Sequence, residues 1–165
     1  MIRLPRELEA EGIAEAILQV LASHTLQLWS GSDLRISMIT MGTPLKRILR
    51  QANLNGRTRC GLEAISEKLE GEKRGIDHLR EDKGLSGGDR ISRLLLVSNN
   101  GAERFYRRIE GLLQLHAPRL LCCILDIDGN TLGSVITGQE KQIKIIMAEH
   151  KETVSNILRT LLVNE

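Results

Sequence analysis

The chain has 165 residues, of which 41% are hydrophobic and 27% charged, with a formal net charge of +2. That is the size of one domain able to bury a core without disulfides or a structural metal, and the balance excludes a disordered or fibrous chain. Aromatics amount to 2%, which counts against a reader of unpaired bases, and Cys60, Cys122 and Cys123 form no Cys-x-x-Cys pair and have no histidine at ligand spacing.

The small net charge hides an asymmetry. Residues 34–62 contain no acid, while Arg35, Lys46, Arg47, Arg50, Arg57 and Arg59 all lie there; acids gather near the N-terminus and over 63–82. Pro5 suits a first helical position, and Leu8, Ile13, Ile17, Val20 and Leu21 recur near helical spacing, which predicts a helix over 6–23. An acid-rich helical start is not a secretory signal, and no stretch approaches the length of a membrane span. A cytoplasmic protein with reduced thiols and no membrane partner is expected.

TLQLWS, a Gly31-Ser32-Asp33 turn and the alternating LRISMIT predict a hairpin. Leu45, Ile48 and Leu49 mark a short helix after Gly42-Thr43-Pro44, with a basic outer face, interrupted at Asn53-Leu54-Asn55-Gly56. A second amphipathic piece spans 62–69. Over 70–89 charge is dense, glycine frequent and apolar residues sparse, which predicts a mobile charged loop.

SRLLLVS reads as a buried strand and Asn99-Asn100-Gly101 as a turn. Ala102, Phe105, Tyr106, Ile109, Leu112 and Leu113 form one helix face, and RLLCCILD is the next strand. Strand, helix and strand in so short a span predict a βαβ unit with parallel strands. TLGSVITG and QIKIIMA read as further strands and 153–163 as a closing helix. The fold expected over 1–165 is a single-domain α/β sandwich with a mixed sheet and a C-terminal βαβ unit.

Two stretches carry candidate chemistry. In LCCILDIDGNTLG an apolar strand delivers Asp126 and Asp128. The plain reading is a hairpin in which LCCILDI pairs with TLGSVI through an Asp128-Gly129-Asn130 turn. A calcium loop fails, because Thr131 and Thr137 occupy its glycine and bidentate places. In the second stretch, Asn99, Asn100 and Gly101 lie where a parallel strand passes into a helix. Free N–H groups there suit a phosphate, and an asparagine N-cap is the plainer reading. Arg47, Arg50, Arg104 and Arg107 are candidates for a phosphate-binding surface, with a solvated helix face as the alternative. The histidines share no spacing, and no nucleophilic triad is supported.

RLLLVSNNGAERFYRRIEGL followed by RLLCCILDIDGNTLG, together residues 93–133, resembles the Toprim domain of the topoisomerase VI A subunit type. The resemblance implies that Asp126 and Asp128 bind magnesium in an enzyme of nucleic-acid phosphoryl transfer. Read from the residues alone, the chain is a binding or regulatory module for a phosphate-bearing ligand or nucleic acid, without catalysis and without a cofactor. A protein partner for its basic helix is a third expectation.

Overall fold

The computed structural model describes residues 2–83 and 89–163. The chain runs α1 (Arg6–Ala10), α2 (Ala14–Ser23), β1 (Thr25–Gln27), β2 (Arg35–Ile39), α3 (Thr43–Leu54), β3 (Thr58–Cys60) and α4 (Leu62–Lys83). It continues through β4 (Arg93–Val97), α5 (Glu103–Leu115), β5 (Leu120–Leu125), α6 (Gly129–Thr137), β6 (Ile145–Ala148) and α7 (Lys151–Thr160). The strands form one mixed sheet in the order β1-β2-β5-β4-β6-β3. The pairs β2–β5 and β4–β5 are parallel, and β1–β2, β4–β6 and β3–β6 antiparallel.

Every residue of β5 and β6 is buried, as continuous apolar runs with both faces covered require. One core joins Leu94, Leu96, Cys123 and Leu125 to α1, α2, α3, α6 and α7. The other joins Leu95, Val97, Cys122 and Ile124 to Ile65 and Leu69 of α4 and Tyr106 and Ile109 of α5. Alternation along β4 and β5 thus sends successive side chains to opposite helical layers. The expected α/β sandwich, the hairpin of β1 and β2 and the parallel β4-α5-β5 unit are all present.

Four expectations are corrected. The helix over 6–23 is broken at Gly12, whose φ is +76°. The N–H groups of Gly12 and Ile13 return to Glu9 O and Leu8 O at 3.0 and 3.1 Å, which is the glycine-terminated helix end of the Schellman type. TLGSVITG is not a strand and Asp128-Gly129-Asn130 is not a hairpin turn: both belong to α6 and its cap. Of the loop expected over 70–89, residues 84–88 lie outside the described residues, and the part through Lys83 is helical. There Glu72 anchors the charged half of α4 by accepting from Arg93 (2.9 Å) and Arg119 (3.1 Å), and Lys73 bonds Asp77 one turn on at 3.0 Å. Finally, β3 was not anticipated. Its three half-buried residues form the edge beside β6.

Candidate functional site

Neighbouring parallel strands β2, β5 and β4 all end at the same edge, and each passes directly into a helix. The loops 40–42, 126–128 and 98–102 are therefore delivered together, where open α/β sheets place ligands. Main-chain groups tie them. Met41 N–H donates to Asp126 Oδ1 at 2.9 Å, Asn99 N–H to Ile127 O at 2.9 Å and Gly129 N–H to Asn100 Oδ1 at 3.0 Å. The two stretches that the sequence marks as separate candidates are thus one site. The helix α5 packs on one face of the sheet and α6 on the other, with their loops joined above β4 and β5.

Asp126 and Asp128 are both exposed. Asp128 is the N-cap of α6, its Oδ1 accepting from Thr131 N–H at 2.8 Å. That main-chain bond, joined by the Thr131 side chain and the Asn130 N–H, holds its carboxyl below the usual range. Among the described residues no group of three or more His, Cys, Asp or Glu could hold a metal ion. Glu103, the acid nearest in sequence to the Asn99-Asn100-Gly101 turn, is drawn away by Arg107 at 3.1 Å and Ser30 at 3.3 Å. Magnesium commonly keeps its waters and takes one or two protein carboxylates plus phosphate oxygens. Two exposed carboxylates fit that mode and not an all-protein cage.

Neither Asn99 nor Asn100 caps α5: the N-cap is Ala102, which makes no side-chain bond. Asn100 serves the start of α6 instead. The loop is held from beneath by Tyr106, whose hydroxyl donates to Ser98 O at 2.7 Å and accepts from Gly101 N–H at 3.0 Å. Burial raises the pKa of this phenol. A Cβ on Gly101 would stand 2.5 Å from the Phe105 ring, so any larger residue would force the ring or the loop to shift. Sequence reasoning placed Tyr106 only on the apolar face. Its one signal as a clamp was a hydroxyl on that face, five residues after a glycine.

The four arginines do not form one surface. Arg47 and Arg50 belong to α3 on one face of the sheet, Arg104 and Arg107 to α5 on the other. Arg50 donates to Val135 O (3.0 Å) and Ser134 O (3.3 Å) at the end of α6, so it stabilises a helix C-terminus. Arg107 pairs with Glu103 and lies 4.3 Å over the Trp29 ring. Arg47 and Arg104 are exposed and make no ion pair or hydrogen bond among the described residues.

Beside the start of α6 a groove of about 600 Å³ is lined by Asn130, Thr131, Ser134 and Lys141 among others. Burial pushes the Cys123 thiol up to about 12 and the Cys122 thiol well upward. No helix among the described residues is long and apolar enough to cross a membrane. Comparison with known proteins finds no family model and no curated protein that matches this chain.

Proposed function

We propose that the chain is a binding or regulatory module, without catalysis of its own, that holds a phosphate-bearing ligand at the carboxyl ends of β2, β5 and β4. The observation that carries this reading is the bond from Gly129 N–H to Asn100, which locks the turn after β4 to the helix start after β5. Bare phosphate would meet the two exposed carboxylates of Asp126 and Asp128 and be repelled. Asp126 and Asp128 would hold such a ligand as its magnesium complex, the ion supplying charge neutralisation and orientation. The groove beside α6 gives room for the rest of the ligand. Free, buried Cys122 and Cys123 suit a reducing, cytoplasmic setting.

A second reading is favoured by Asp126 following β5 directly and by Asp128 two residues on, as in a Toprim-like phosphoryl-transfer enzyme on nucleic acid. It requires a further acid that Glu103, turned toward Arg107, does not supply.

Thermal melting with magnesium and pyrophosphate tests both readings. The native protein should melt higher with the two together than with either alone, and an Asp126→Asn/Asp128→Asn variant should lose that increment. Equal shifts in native and variant protein would discard the site. Magnesium-dependent cleavage or relaxation of duplex DNA, abolished in the same variant, would install the second reading in place of the first.

A further inference from the structure

At the opposite end of the sheet, where β4 and β5 begin, a groove of about 1110 Å³ lies between α1, α4 and α7. Its walls carry six cations, Arg6, Arg90, Arg93, Arg119, Lys151 and Arg159, against three acids, Glu7, Asp89 and Glu152. Two of those acids are answered from outside the groove, Asp89 by Arg3 at 2.5 Å and Glu152 by Arg57 at 3.2 Å, and so are two of the cations, Arg90 by Glu9 at 2.8 Å and Arg159 by Glu11. Of the other cations, Arg93 and Arg119 share the single carboxylate of Glu72; the three side chains are only 16%, 12% and 16% exposed. Two guanidiniums on one carboxylate leave a buried unit of positive charge, and Nη1 of Arg119 is buried without an acceptor. Such a group is costly unless an anion compensates it.

The side chains of Arg6 and Lys151 are exposed and make no ion pair or hydrogen bond among the described residues. Lys151 is also the first residue of α7, whose N-cap His150 makes no side-chain bond. A cation there opposes the helix dipole and lowers stability, whereas an anion would be welcomed by both the dipole and the lysine. Because β6 runs antiparallel to β4, its carboxyl end and the start of α7 open into this same groove.

The geometry points to a second, metal-free anion site here, taking a phosphate ester of nucleotide size. Guanidinium forks match phosphate oxygens in pairs, the volume is that of a small-molecule site, and Pro5, Ile76 and Ile91 supply an apolar wall for the esterified part. This site does not depend on the one at the carboxyl ends, and it requires no magnesium.

The test is a melting and calorimetric titration of the full chain with pyrophosphate and with ADP, in EDTA at low salt, so that any magnesium-dependent site is silent. Both probes should raise the melting temperature with the logarithm of their concentration. An Arg6→Ala/Lys151→Ala variant, which removes no hydrogen bond or ion pair among the described residues, should bind about tenfold more weakly or worse. The Asp126→Asn/Asp128→Asn variant should bind as the native protein does. Binding of pyrophosphate alone would keep the anion site and make free phosphate its occupant. No response to either probe, an undiminished response in the Arg6/Lys151 variant, or an equal shift from chloride at matched ionic strength would overturn the proposal.

Discussion

His116 is 2% exposed, and neither ring nitrogen has a hydrogen-bond partner. Burial lowers its pKa, and Arg119 and Lys73 push the same way against the weaker pull of Glu70 and Glu72. The folded state therefore resists a proton that the unfolded chain accepts near about 6.5. Since the unfolded chain binds more protons there, stability should be lost as pH falls through that value. Denaturant midpoints measured between about pH 7.5 and 5.5 should drop, and a His116→Gln variant should flatten the slope. A fall of equal steepness in the variant would assign it to other groups. Gly133 is a second decisive residue. A Cβ there would overlap the Lys141 carbonyl, so Gly133→Ala should cost about 3 kcal/mol or more, read as a reduced denaturant midpoint. Nothing in the sequence marks this glycine, because what it makes room for is the 139–144 segment, which turns back against α6 after the helix ends.

Among the elements, those defined by one strong local signal were legible: the hairpin of β1 and β2, and β4, α5 and β5 with their unbroken apolar runs and helical stripe. The element that misled, α6, has Leu132 and Ile136 as its buried pair. A spacing of four falls on one face of a helix and equally on one face of a strand, so TLGSVITG satisfied both patterns. The ends decided between them. Asp128 caps the start, and Gly138, at φ +74°, closes the end with its N–H on Ser134 O at 2.8 Å. The charged half of α4 was illegible for another reason: its anchor, Glu72, finds Arg93 and Arg119 some 21 and 47 residues away. Gly75 lies within that helix with nothing within 4 Å of an added Cβ. Gly75→Ala should therefore raise stability by about 0.5–1 kcal/mol; a loss, measured by denaturation, would mean that residues 70–83 are not stably helical in solution.

For the molecule as a whole, the carboxyl-end site was half visible beforehand. Both of its stretches could be picked out, yet their union depends on β4 and β5 being neighbours and on Asn100 reaching Gly129. The groove at the other end left no local mark, since Arg6, Arg90, Arg119 and Lys151 converge there from distant segments. The N-terminal stretch is drawn into the same end: Ile91 N–H donates to Arg3 O at 2.7 Å and Arg90 to Leu4 O at 2.9 Å, while Arg159 bonds Glu11.

The two ends are separated by the length of β5, whose six buried residues span roughly 20 Å. A fully packed strand between two parallel neighbours offers no second arrangement for one end to impose on the other. The coupling free energy between the ends should accordingly lie within about 0.5 kcal/mol of zero. In a double-mutant cycle, the stabilisation by magnesium and pyrophosphate lost in Asp126→Asn/Asp128→Asn and that lost in Arg6→Ala/Lys151→Ala should sum in the combined variant. A clear shortfall or excess would reveal that the sheet is not the inert spacer its burial implies, and that occupancy at one end is reported to the other.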